Sequence, residues 1–209
     1  MSFGLVKHNN NSISAITTPG SLAQGKMILI KEQTASSSSS ISFVDGSSSV
    51  VFDNTYPIYL FKFINIHPAT NSTDFDFQVS TNGGSAYGVD ITSTWFQSAH
   101  NESDTTTGLS YETAEDLAQS TSFQTLNQDI KNDADSSNSG ELYVFNPSST
   151  TFVKHFMAVN QCMQSTPYSV QSFCDGYVNT TSAIDGIQFK MSSGNIDSGT
   201  IKLYGIKGS

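Results

Sequence analysis

The sequence contains no arginine, and its nine basic residues are all lysines. Arginine is the usual side chain for recognising phosphates and base edges, because its planar guanidinium forms paired hydrogen bonds with them. The chain is also acidic, with a net charge of −9. Since neutralisation of the phosphate backbone dominates nucleic-acid affinity, this composition excludes nucleic acid as an expected partner.

Cysteine, histidine and long apolar runs are also scarce. Two cysteines in 209 residues, Cys162 and Cys174, are no disulfide framework, and the sequence leaves open whether they are bonded. None of the four histidines has a second histidine or cysteine at metal-binding spacing. No segment approaches the roughly 18 consecutive apolar residues of a membrane span, so we expect no membrane insertion.

Recognisable catalytic motifs are missing as well. There is no Gly-x-Ser-x-Gly elbow, phosphate-binding loop or His-Glu-x-x-His sequence. Asp74 and Asp76 form a carboxylate pair of the kind that a glycoside hydrolase needs, if they lie in a cleft. Two acidic residues at alternate positions of a strand more often lie on its solvent-facing side than in an active site. We therefore expect that the protein is not an enzyme.

Alternating apolar and polar residues, separated by Gly, Pro, Asn and Ser turns, predict about nine strands and no interleaved helices. The strongest strand, 58–66, is apolar on both faces and is predicted to be central and covered on both sides. Residues 183–206 contain two alternating runs and predict a closing β-hairpin. The pattern therefore favours an all-β fold, an antiparallel β-sandwich of the jelly-roll kind over residues 26–209.

Three polar stretches are predicted to lie outside this framework. The serine run 36–40 and the long segment 101–140 are expected to be irregular and solvated. Residues 1–25 have no sustained periodicity, which indicates an N-terminal arm that orders against a partner. Phe3, Leu5 and Val6 are the arm's candidate attachment residues.

Residues 132–141 resemble part of a calcium-binding loop, because oxygen-bearing side chains recur at alternate positions. Asp133 and Asp135 are the candidate ligands for Ca²⁺. The segment departs from the EF-hand pattern, with Asn138 in place of glycine and Val144 in place of glutamate. A solvated acidic loop is the alternative interpretation.

Aromatic residues suggest a second kind of site. Trp95, Tyr168 and Tyr177 are candidates for a stacking platform that binds a sugar, with neighbouring amide side chains supplying hydrogen bonds. In a domain rich in aromatic residues, the alternative is that these side chains form part of the core.

Several segments resemble virion structural proteins of tailed bacteriophages, particularly marine ones. The most specific is 189–206, and together the segments extend over roughly residues 26–206. They are 58–70, 116–121, 140–142, 145–150, 153–156 and 189–206.

The resemblance implies a non-enzymatic virion structural protein exposed on the particle surface, a capsid decoration or adaptor-like module anchored by its N-terminal arm. Its partners would be other virion proteins. A homo-oligomer is expected, with a trimer favoured, because capsid and fibre positions impose rotational symmetry. The alternative is a tail or fibre receptor-binding module that binds a host surface glycan. The resemblance assigns no catalytic residue.

Overall fold

The computed structural model describes residues 26–208, which form twelve β-strands. No helix among these residues is long and apolar enough to cross a membrane. The strands are β1 (Met27–Ser38), β2 (Ile41–Val44), β3 (Ile58–Pro68), β4 (Thr73–Ser80), β5 (Ile91–Asn101), β6 (Thr107–Tyr111), β7 (Gln124–Ile130), β8 (Asn138–Phe145), β9 (Lys154–Met163), β10 (Tyr168–Val178), β11 (Gly186–Met191) and β12 (Ile196–Ile206).

The strands form two antiparallel sheets, which confirms the predicted sandwich. The larger sheet has the order β1-β12-β3-β8-β9-β10-β5-β6, and the smaller has the order β2-β11-β4-β7. The eight strands other than β5, β6, β9 and β10 have the arrangement of a jelly roll. Renumbered from 1 to 8 in chain order, they have the order 1-8-3-6 in the larger sheet and 2-7-4-5 in the smaller sheet. Strands β9, β10, β5 and β6 then extend one side of the larger sheet.

The core lies between the two sheets and is built largely from phenylalanine. These side chains alternate with polar residues along their strands, so one face of each strand supplies the core. Phe189 of β11 is central to this packing, because four other rings surround it within 6.3 Å between centroids. They are Phe43, Phe61, Phe63 and Phe75.

The predicted closing hairpin is wrong in its pairing, although both of its strands exist. β11 pairs with β2 and β4 in the smaller sheet, whereas β12 pairs with β1 and β3 in the larger one. The loop between them crosses from one sheet to the other and is held by hydrogen bonds to β4. Ser192 donates its amide to the Asp74 carbonyl at 2.9 Å, and the Ser193 amide donates to the Thr73 hydroxyl at 3.0 Å.

Two segments predicted to be irregular contain strands. Within 101–140, β7 is an edge strand of the smaller sheet and β6 is an edge strand of the larger one. β7 has a polar sequence, but its buried Gln124 and Asn127 are hydrogen-bonded within the protein. The start of the serine run, Ser36–Ser38, belongs to β1 and pairs with the beginning of β12. Backbone pairing needs no apolar side chain, so periodicity did not reveal either segment.

Candidate functional site

The face of the larger sheet that is turned away from the smaller sheet, here called the outer face, carries no second layer among residues 26–208. Strand β3 shows this directly. On its inner side Phe61 and Phe63 are buried in the core, whereas on its outer side Ile64 is 42% exposed. The prediction that β3 is covered on both sides is therefore wrong at Ile64, although Leu60 on the same outer side is only 2% exposed. The outer side of β3 is covered only in part by the described residues.

Exposed apolar side chains are concentrated on this outer face. Directly opposite residues in an antiparallel pair share one face, so the strand registers assign each side chain to a side. Of the eight large apolar side chains that are exposed among the described residues, six project from the outer face. They are Met27, Leu29, Ile64, Leu109, Tyr111 and Met157.

A groove of about 490 Å³ lies on the outer face where β8, β9, β10 and β5 meet. Its lining includes Phe145, His155, Met157, Asp175 and Tyr177. The register of β10 places Tyr177 opposite His155, and Asp175 opposite Met157. The side chains of alternate residues on two neighbouring strands therefore form the groove, as the pleat of an antiparallel sheet requires.

Three polar groups in this groove have no hydrogen-bond partner among residues 26–208: the His155 ring, the Asp175 carboxyl and the Tyr177 hydroxyl. The rings of His155 and Tyr177 meet edge to face, with centroids 6.3 Å apart. Partial burial raises the pKa of Asp175 above its ordinary value. Asp175 is the only acidic residue in the lining, and no lysine contributes to it. An apolar segment that carries a cation or a hydrogen-bond donor matches this arrangement.

The predicted stacking platform does not form, because its three members lie apart. Trp95 is fully buried on the inner side of β5, where its Nε1 donates to the Thr125 carbonyl at 3.1 Å. Trp95 is therefore a core residue and unavailable to a ligand. Tyr168 and Tyr177 lie at opposite ends of β10, about 30 Å apart at the rise of an extended strand. Only Tyr177 reaches the groove on the outer face.

Asp76 is buried rather than solvent-facing, contrary to the prediction. It is only 6% exposed, and its Oδ1 atom has no hydrogen-bond partner. Burial, reinforced by the neighbouring charge of Asp74, raises the pKa of Asp76 to about 7. Burial also raises the pKa of nearby Glu115. Because the Asp76 carboxyl is enclosed, it cannot reach a polysaccharide as half of a glycosidase pair.

The enclosure of Asp76 comes from the chain between β6 and β7, which crosses the outer side of the smaller sheet. Gln78, two residues along β4 from Asp76, anchors this crossing by donating to the carbonyls of Thr121 and Ser122 at 3.2 and 2.8 Å. Lys190 of β11 lies over the Phe123 ring, with its Nζ 4.1 Å from the ring centroid. The strand pattern alone contains no sign of this covering segment.

The candidate calcium ligands are not assembled into a site. Asp133 pairs with Lys131, its Oδ2 lying 2.8 Å from the lysine Nζ. Asp135 is exposed beside a polar cavity that Asn65, His67 and Asp197 also line. Within the described part of the chain, no group of three or more His, Cys, Asp or Glu side chains is arranged to hold a metal ion. The candidate attachment residues Phe3, Leu5 and Val6 lie outside the described residues.

Cys162 and Cys174 are free thiols, and both are fully buried on the inner side of β9 and β10. Burial raises the pKa of Cys162 to about 12 and also raises the pKa of Cys174. Since the thiolate is the reactive form, both cysteines are expected to be inert.

No protein-family model matches this chain, and no curated protein or solved structure is significantly similar to it. The fold itself is shared by proteins of unrelated function, so a jelly roll does not assign one.

Proposed function

We propose that this protein is a non-enzymatic structural protein of a tailed-phage virion, displayed on the particle as a decoration or adaptor-like module. Residues 1–25 attach it, and the outer face of the larger sheet packs against a neighbouring virion subunit. The observation that carries the proposal is the set of exposed apolar side chains on that face, which a second layer would normally cover. The resemblance to phage virion proteins supports the same assignment.

The energetics of the outer face suit an assembly contact. Met27, Leu29 and Met157 are each about half exposed. Burying the remaining surface of such a side chain contributes about 1–2 kcal/mol at 25 cal/mol per Å². Several such side chains on one face supply a useful part of an interface, and apolar residues at its centre are typical of subunit contacts. The row of charges across the same face, in which Lys62 pairs with Glu141 and Lys202 with Glu32, would help to set the orientation.

Co-sedimentation with purified phage particles that lack the protein tests this proposal. The full chain should sediment with the particles. Deleting residues 1–25, or substituting Met157→Glu, should weaken that binding by at least tenfold, because one removes the attachment arm and the other places a charge on the outer face. Fluorescence of Trp95 reports whether each variant is folded.

The matched control for Met157→Glu is Phe152→Glu. Phe152 is 69% exposed but lies in the loop between β8 and β9, outside the strands that form the outer face and outside the lining of the groove. Its substitution adds the same charge and should leave particle binding unchanged. Binding that survives both the arm deletion and Met157→Glu would refute the proposal.

Receptor binding is the second candidate function, and the groove is the observation that favours it. The unpartnered polar groups of His155, Asp175 and Tyr177 lie beside apolar walls, which is the general arrangement of a sugar-binding site. Binding of the full chain to a host surface glycan, lost on Tyr177→Ala and retained on Tyr168→Ala, would support this function. Failure to bind any glycan of the host surface would remove it.

A further inference from the structure

A candidate occupant for the groove on the outer face is found in this chain's own sequence. We propose that residues 3–7 of each subunit bind in the groove of the same subunit and cover Met157 before assembly. This inference builds on the proposed function, because it states how the arm and the outer face are kept apart from partners in the free protein. It rests on where the described chain begins, on the length of the arm, and on its charge and apolar residues.

The first residues of β1 lie at the same level along the strands as the groove, so that a line of cross-strand neighbours joins them. Met27 lies opposite Ile206, which lies opposite Ile58, and Ile58 lies opposite Phe145 at the groove's edge. The next pair in the register of β8 and β9 brings Phe145 beside His155. Neighbouring strands lie about 4.8 Å apart, so the groove, from β8 to β5, lies about 14–29 Å from the start of β1, across the same face.

The length of the arm matches this separation. Lys7 precedes Lys26 by nineteen positions. A flexible linker of that length would have a root-mean-square end-to-end distance of about 24 Å. Intramolecular binding has its highest effective concentration when the length of the connecting chain matches the span. The groove of the same subunit is therefore favoured over that of a neighbouring copy at low protein concentration.

The charges are complementary. Residues 1–25 contain Lys7 and no acidic residue, whereas the rest of the chain has eight lysines and eighteen acidic residues. Within the groove the only acidic group is Asp175, which is partly buried and has no hydrogen-bond or ion-pair partner among residues 26–208. An ammonium group beside this carboxylate gains more than one at an exposed position, because less solvent screens the pair.

The apolar residues match as well. Phe3, Leu5 and Val6 directly precede Lys7 and are among the few large apolar residues of the arm. The groove is lined by Phe145, Met157 and the ring of Tyr177, with few polar groups between them. In an extended segment Leu5 and Lys7 point to the same side, so one can contact Met157 while the other reaches Asp175, its cross-strand neighbour.

Disulfide trapping in the full-length chain tests this inference. The variant Leu5→Cys with Met157→Cys is oxidised at low micromolar concentration, and the products are identified by non-reducing electrophoresis and peptide mass spectrometry. We expect an intramolecular disulfide between positions 5 and 157. The native thiols of Cys162 and Cys174 are buried and should remain free.

Two matched variants make the test specific. Pairing Leu5→Cys with Phe152→Cys places a thiol at a more exposed position in the loop between β8 and β9, and this pair should form the bond at least tenfold more slowly. Adding Asp175→Asn to the first pair should slow trapping about fivefold, the effect of one ion pair of about 1 kcal/mol. Equal rates for positions 152 and 157, or disulfide-linked dimers in place of the intramolecular product, would overturn the inference.

The same experiment separates this inference from the proposed function, because no phage particle takes part in it. Loss of trapping with retained particle binding would overturn only the intramolecular contact. If the disulfide forms and a glycan ligand prevents its formation, the result would favour the receptor-binding function and would also confirm that the arm occupies the groove.

Discussion

Asp76 gives the sharpest quantitative prediction, because its carboxyl is buried without a full set of partners. Burial raises its pKa to about 7 from an ordinary value of 3.8, and the charge of Asp74 acts in the same direction. Glu115 from the covering segment also raises this pKa, whereas the Thr125 hydroxyl and Lys190 of β11 lower it. We predict that Asp76→Asn, which keeps the shape and removes the charge, stabilises the protein in a pH-dependent manner.

The magnitude follows from the linkage between proton binding and folding. A carboxyl with a raised pKa holds its proton in the folded state after the unfolded chain has lost it, so stability falls as pH rises from about 4 to about 7. Each pKa unit corresponds to about 1.4 kcal/mol, which gives a cost of about 4 kcal/mol at pH 8 and almost none below pH 4. Asp76→Asn should recover up to that amount at pH 8.

Urea unfolding, followed by Trp95 fluorescence, measures this difference. Trp95 is the only tryptophan and is fully buried, so its emission should change when the core opens. The free energy of unfolding of both proteins would be extrapolated to water at pH 4.5, 6, 7 and 8. The control, Asp197→Asn, removes an exposed carboxyl and should change stability by less than about 0.5 kcal/mol at each pH.

The reasoning would be refuted if Asp76→Asn had the same effect on stability at pH 4.5 and pH 8. A variant less stable than the parent at pH 8 would also contradict it, because that result would show that the ionised carboxylate is stabilised in the folded protein.

Three further substitutions test the packing. Lys154 is buried, and its Nζ donates to the carbonyls of Thr180 and Ser182 at 3.1 and 2.5 Å. Lys154→Met should therefore cost about 2–4 kcal/mol in urea unfolding, since both carbonyls lose their side-chain donor. Phe189→Ala should cost about 3–5 kcal/mol in the same assay, because it removes the ring at the centre of the aromatic core. Tyr177→Ala should lower the melting temperature by only a few degrees, because this side chain lies on the outer face.

The fold class and most of the strands could be predicted from the sequence, because alternating burial is a local property of each strand, whereas the polar strands β6 and β7 lack that pattern. The pairing of the last two strands could not. A four-residue polar loop containing Gly194 suits a hairpin and a crossing between sheets equally well, and the hydrogen bonds that decide between them come from Thr73 and Asp74, more than 100 residues earlier. Such contacts leave no periodic signal.

The candidate site was predicted only in part for the same reason. The sequence identifies Tyr177 as a ligand-binding candidate, and this residue lies in the groove, but Asp175 and His155 reach the groove only through the register of β9 and β10. Residue type alone makes Trp95 a candidate, whereas its position on the inner side of β5 depends on the pairing of that strand. Asp76 appeared to be solvent-facing because the segment that covers it is distant in sequence.

Immunogold labelling of purified phage particles, with an antibody against the recombinant chain, tests the central claim most directly. Mass spectrometry of the same particles supplies an independent measure of its presence. The proposed function predicts that the protein co-purifies with the particles and that gold labels their exterior, on the capsid or at the tail. Particles that lack the chain by both measurements, while infected-cell lysate contains it, would contradict the proposal that it is a virion structural protein.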